Sequence, residues 1–238
     1  MIKILIQTIY YQLIISLRIK KSVFFTIVFP IFLFIIFGAL WGGQKEYISF
    51  LLSGIIGMIL ASEGLFAIGP VIKIYYSNGL IKYLRKMPFN ILLYFSGLII
   101  SRLIIVSFSV AMLCITAKLI FGFTVSSYNV LNYILGTFLG IYIFSFIGLD
   151  IAFWGIRKDA FSDLSTNFVL FVILFTSNAF YPVGDFSKAI YFIGNILPLN
   201  PVLSILRDNS FNLSLLFWLI VPSLIFYFLF NKIKLSRI

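Results

Sequence analysis

The chain has 238 residues, of which 62% are hydrophobic, 19% aromatic and only 11% charged, with a mean hydropathy of +1.13. Soluble domains carry about 25% charged residues, so the composition is that of a polytopic membrane protein with no length left for a soluble domain. The net charge of +11 reads as basic membrane loops rather than a nucleic-acid surface, the lack of histidine excludes Ser-His-Asp and Cys-His catalysis, and the single cysteine, Cys114, excludes an internal disulfide.

Residues 1–21 predict an amphipathic helix at the membrane interface. Lys3, Gln7, Tyr11, Arg18 and Lys21 share one side of the wheel, and Ile6, Ile9, Leu13 and Leu17 share another. Val23 is too late in the chain, and the apolar run after it too long, for a secretory h-region, so this run predicts a retained span. Spans are expected at about 23–41, 47–72, 91–117, 130–153, 164–180 and 213–230. Pro30 lies inside the first, where neighbours must satisfy the carbonyl it frees. Trp41 marks an interface, with a turn at 42–46 beyond it.

Ser53, Gly57 and Ala61 recur every four residues in the second span, and Gly136 and Gly140 stand four apart in the fourth. Small residues at this spacing let helices approach closely. Between the second and third spans, residues 73–90 form a basic loop carrying Lys73, Lys82, Arg85 and Lys86. Residues 181–212 hold Pro182, Pro198 and Pro201 around an apolar piece, 186–197, too short to cross. This predicts a re-entrant outer segment between spans five and six. The expected fold is therefore one all-α polytopic membrane domain over residues 1–238, with six transmembrane helices.

Basic residues set the expected orientation. With the N-terminus inside, Lys3, Arg18, Lys20, Lys21, Lys73, Lys82, Arg85, Lys86, Arg157, Lys158, Lys232, Lys234 and Arg237 are cytoplasmic, and only Lys45, Lys118, Lys188 and Arg207 are outside. The bias places both termini in the cytoplasm. Glu63 and Arg102 are the charges deepest in the spans, each costing about 2.5–3.5 kcal/mol or more alone at mid-bilayer. They fall at similar depth on consecutive antiparallel helices and are candidates to pair; contact with cargo in a polar cavity, or snorkelling, are the alternatives. Asp150, Asp159 and Asp163 suit either contact with a partner or a solvated helix start.

The chain has no P-loop. Any ATP-driven stroke must come from another polypeptide. No repeat between the halves suggests an ion-coupled transporter.

The order of motifs resembles a type-2 ABC transporter permease over nearly the whole chain. Gly79, Leu80, Ile81, Leu84 and Pro88 match that family's Gly, apolar run and Pro after the second span. Gly97 and Pro30 match a glycine of its third span and a proline of its first. Ser177 to Pro182 (Ser-Asn-Ala-Phe-Tyr-Pro) is similar to its Ser-Gly-x-x-Phe-Pro, and Asn200-Pro201-Val202 to its Asn-Pro-Leu. The chain departs from the pattern in lacking acidic residues before Gly79, in having Leu98 where a lysine is frequent, and in placing its arginine late, at Arg207.

The resemblance implies a permease subunit of a bacterial ABC exporter, a dimer with an identical or related permease. Each permease would sit on a separate ATP-binding subunit that holds the ATP and Mg; this chain would bind no cofactor or metal and catalyse nothing. Gly79, Leu80, Tyr83, Leu84 and Pro88 would couple to the ATPase, and Pro182, Asn200 and Pro201 would shape the outer segment. The implied cargo is a peptide, a drug or a lipid-like molecule, with antibiotic resistance or bacteriocin immunity as the setting. The alternatives are an immunity or assembly protein that binds a toxic peptide without moving it, and a polysaccharide or teichoic acid exporter. Partners would be proteins and membrane lipid, not nucleic acid, in the bacterial cell membrane.

Overall fold

Prolines and one asparagine decide where the apolar runs become separate helices. The computed structural model describes residues 2–41, 45–84, 86, 90–154, 159–185 and 187–235, and every regular element among them is helical. Of the sequence features named above, Gly42–Gln44, Arg85, Pro88, Arg157, Lys158 and Arg237 lie outside the described residues, as do the side chains of Lys45, Lys82, Asp159, Asp163, Lys232 and Lys234.

Helix α1 (Ile2–Arg18) is followed by α2, the first span, Lys20–Trp41. The wide π turn Phe24–Val28 interrupts α2. Helix α3 (Lys45–Ala67) breaks at Ile68, and α4 (Gly69–Ser77) begins with Pro70 in its first turn. There the missing N–H of proline costs nothing, whereas inside α3 it would remove a bond. The expected second span is thus two helices. A short helix α5 (Leu80–Leu84) leads to the long α6 (Ile91–Phe121), capped by Asn90, whose side chain accepts the Leu92 N–H at 3.0 Å. Then come α7 (Ser127–Trp154), α8 (Asp159–Thr176), α9 (Lys188–Ile196), α10 (Leu199–Asp208) and α11 (Leu213–Leu235).

Among the described residues, five helical spans are long and apolar enough to cross a membrane: α2, α3 with α4, α6, α7 and α11. The expected fifth span falls on α8, whose apolar stretch Leu164–Thr176 is shorter. Its helix ends before the predicted 180 because the Asn178 N–H is taken by Asn200 Oδ1 at 2.9 Å, which turns the backbone away. Helices α9 and α10 meet at 88°, a bend that suits either a broken span or the expected re-entrant segment. The buried arm is α10: Leu199, Val202, Leu203, Ile205 and Leu206 are all enclosed, while α9 keeps Phe192, Ile193 and Ile196 exposed.

Helix α3 is the hub and packs most extensively on α7. The two cross where Gly64 meets Phe144 and Ser145, and where Gly148 meets the backbone of Gly64 and Leu65. The small residues singled out in the sequence serve α10 as well: Gly57 faces Leu199 and Leu203, Gly136 faces Leu206, and Gly140 faces Leu60 and Val202. Ala61 is buried in the same core, and a methyl added at Gly54 would land on the Ala179 carbonyl.

Helix α1 turns Thr8, Gln12 and Ser16 towards α6, not the apolar face read from the wheel. These side chains are short enough to seat against a helix, with Thr8 against Gly97. The hydroxyls of Thr8 and Ser16 are satisfied within α1, donating to Ile4 O (2.9 Å) and Gln12 O (2.8 Å). Ile2, Ile6 and Leu17 stay exposed.

Candidate functional site

Three constellations combine polar chemistry with a break in regular structure. The first stands at the end of the molecule where α4 meets α6, called here the basic end. Helix α4 stops at Asn78, and Gly79 follows with φ +74°, a conformation that favours glycine. This reverses the chain into α5. Ile81 turns inwards and is 3% exposed, against a cluster made by Phe95, Phe153, Phe226 and Phe230 with Leu84 beside it. Phe95 sits edge-on to the other three rings, with centroids 6.0–6.3 Å away. Tyr83 points the other way and is 66% exposed, and Leu80 is half-buried. Next to this, the Gln12 side-chain amide donates to the hydroxyls of Tyr75 (3.1 Å) and Tyr94 (3.0 Å), tying α1 to α4 and α6.

The second constellation lies inside the bundle. Pro30 stands four residues after Thr26, so no N–H is available there to serve the Thr26 carbonyl. Ser109 of α6 supplies the missing donor at 2.6 Å. The Thr26 hydroxyl donates to Glu63 Oε1 and also lies 2.8 Å from the Ser22 carbonyl, so one proton has two acceptors. Arg102 Nη1 stands 3.7 Å from Glu63 Oε2, close enough for charge attraction but too far for a hydrogen bond. Glu63 Oε2 and Arg102 Nε and Nη1 have no hydrogen-bond partner among the described residues. The residues are 8% and 6% exposed. An unsatisfied buried polar atom costs about 1–3 kcal/mol.

The third lies at the opposite end. Arg207, at the end of α10, donates Nε to Ser53 Oγ (2.8 Å) and Nη2 to the carbonyls of Phe50 (3.2 Å) and Asn178 (2.7 Å). Its guanidinium lies 3.9 Å from the centre of the Phe50 ring. Burial pulls its pKa down to about 10, with Asp208 opposing the shift, so it stays cationic at neutral pH. Asn200 accepts the Asn178 N–H and donates to Asn195 Oδ1 (3.2 Å), and Asn178 Oδ1 accepts from Val183 N (3.0 Å). Pro201 is buried in α10, while Pro182 is exposed just before a single 3₁₀ turn, Val183–Asp185. A cleft of about 200 Å³ opens beside Arg207, lined also by Glu46, Asn129, Tyr133 and Asp208.

The structure thus brings Glu63 to Arg102, and Ser53 and Asn200 to one clasp around Arg207 and Asn178. It sets Tyr83 apart from Ile81 and Leu84 on α5. Asp150 lies near the basic end of α7, with Oδ1 buried and unpaired among the described residues. Three partners went unread in the sequence. Thr26 was marked only by the position of Pro30. Ser109 and Gln12 carried no local signal, because each acts through a residue distant in the chain. Ile81 and Asn178 were noted only as members of family-like motifs, without the contacts that the fold gives them. Among the described residues, no three Cys, Asp or Glu side chains converge to hold a metal.

A family model described as ABC-2 type transporter matches residues 5–211. A comparison with curated proteins finds no match.

Proposed function

Because the chain belongs to the ABC-2 type transporter family and is a permease subunit of an ABC transporter, we propose that it exports a peptide, drug or lipid-like cargo, driven through α5 by its ATP-binding partner. The basic end faces the cytoplasm, following the excess of Lys and Arg there. Two permeases, identical or related, form the path. ATP closes the partner subunits, and their movement is received by Tyr83. Ile81 and Leu84 carry it into the phenylalanine cluster shared by α6, α7 and α11.

The observation that carries this reading is the division of α5 into an exposed tyrosine and a buried isoleucine on one helical turn. Tyr83 is 66% exposed beside a seated neighbour and is therefore free to meet a partner at the basic end. The test is Tyr83→Asp in the complex reconstituted with its ATP-binding partner. Since Tyr83 has little fold to disturb, the permease is expected to remain folded. Its stimulation of ATP hydrolysis should fall by roughly tenfold, a coupling loss of about 1.4 kcal/mol. Unchanged stimulation would sink the proposal.

A further inference from the structure

We propose that Arg102 and Glu63 hold a buried water between them, and that this solvated joint is where the first span pivots during transport. The transport clause rests on the reading above; the water does not.

The geometry supplies both sides of a water's hydrogen-bonding needs. Arg102 Nε and Nη1 are donors, and Glu63 Oε2 is an acceptor, all three unsatisfied by described residues and all enclosed. The 3.7 Å between Nη1 and Oε2 is too long for a direct bond. It is short enough for one oxygen to reach both at about 2.7–3.2 Å. A bound anion would face the Glu63 carboxylate, and a cation the Arg102 guanidinium. A neutral group that accepts from arginine and donates to carboxylate meets neither repulsion, and buried waters typically make about three such bonds.

The joint also sits where α2 is weakest. The π turn Phe24–Val28 contains Thr26, and Pro30, four residues on, has no N–H to serve the Thr26 carbonyl. That carbonyl is held by Ser109, and the Thr26 hydroxyl is held by Glu63. Helices bend at prolines, at π turns and where water inserts, and all three would meet here. When α2 swings, the Thr26 hydroxyl releases Glu63 Oε1 and donates to the Ser22 carbonyl within the same helix. The water then takes up the carboxylate oxygen that Thr26 leaves. Neither charge is exposed to hydrocarbon at any stage.

A high-resolution map of the permease alone in lipid tests the site without any partner. A solvent peak within about 3.2 Å of both Arg102 and Glu63 Oε2 supports it. Direct bonding of the guanidinium to both carboxylate oxygens, or a dry gap, overturns it. The pivot is tested with the paired change Glu63→Leu and Arg102→Met, which removes both charges and the reason for water. This variant should unfold at a temperature no lower than the parent, yet lose roughly tenfold of its stimulation of the partner ATPase. Parent-like stimulation would overturn the pivot. If the paired variant does not fold, Thr26→Val replaces it: it removes the latch hydroxyl, keeps both charges, and must still change stimulation. Parent protein that fails to stimulate any ATPase would instead refute the proposed function, leaving the map to decide on the water.

Discussion

Arg207 shows how one side chain can organise a region that its neighbours in sequence do not predict. Its late position after Asn200-Pro201 departs from the family pattern, yet the fold uses that position to reach Ser53, Phe50 and Asn178 at once. A planar fork can serve three acceptors in fixed directions; an ammonium cannot. Arg207→Lys should therefore lower stability by about 2–3 kcal/mol, read as a fall in thermal midpoint in nanodiscs. Lys188→Ala, at an exposed position, should leave the midpoint unchanged. Gly54 sets a second limit. Gly54→Ala drives a methyl into the Ala179 carbonyl and should abolish folded protein, whereas Gly184→Ala meets Tyr191 at an ordinary 3.5 Å and should be accepted. At this scale the sequence was partly legible. The cost of a lone charge in lipid marked Glu63 and Arg102 as candidates to pair, to touch cargo or to snorkel, and the structure sets them 3.7 Å apart without a direct hydrogen bond. Nothing local marked Ser109, and the motif around Asn178 did not show its contacts, since both roles exist only once α2 and α10 are in place.

Among the elements, α5 and α1 read differently in sequence and in space. Five residues are too few for a helical period to declare which face is buried. Leu80, Tyr83 and Leu84 were singled out for coupling and Ile81 only as part of the apolar run, yet Ile81 is the residue that is seated. Ile81→Ala should leave the spans inserted but loosen α5, seen as faster amide exchange at residues 80–84 and weaker ATPase stimulation. The expected loss in local stability is about 2–3 kcal/mol. For α1 the wheel separated a basic side from an apolar one, and the protein-facing stripe, Thr8, Gln12 and Ser16, belongs to neither. Small polar residues look like surface until a glycine such as Gly97 is found opposite them. Gln12→Leu removes both tyrosine contacts and should release α1 from α4, measured as increased protease cleavage after Arg18 in intact complex. The long apolar runs were legible because hydropathy alone fixes them; the breaks at Ile68 and Ser177 were not, because Pro70 and Asn200 act on backbone geometry.

For the molecule as a whole, the unequal spread of Lys and Arg predicts a measurable sidedness. With Cys114 replaced by serine, a cysteine at Leu119 should react with a membrane-impermeant maleimide in intact cells. One at Lys86 should react only after the membrane is opened. The reverse pattern would invert the orientation and remove Tyr83 from any cytoplasmic ATPase. The bundle is organised around α3, yet α3 is completed by α10, which is made some 150 residues later. During synthesis the second span therefore enters the bilayer with Ser53 and Gly57 still facing nothing of their own chain. The translocon, a chaperone or lipid must shelter that groove until the ribosome has released residues 199–207. Ribosome-stalled chains ending before Leu199 should accordingly be far more sensitive to quality-control proteolysis than chains that include Arg207, even though both contain the same first four spans.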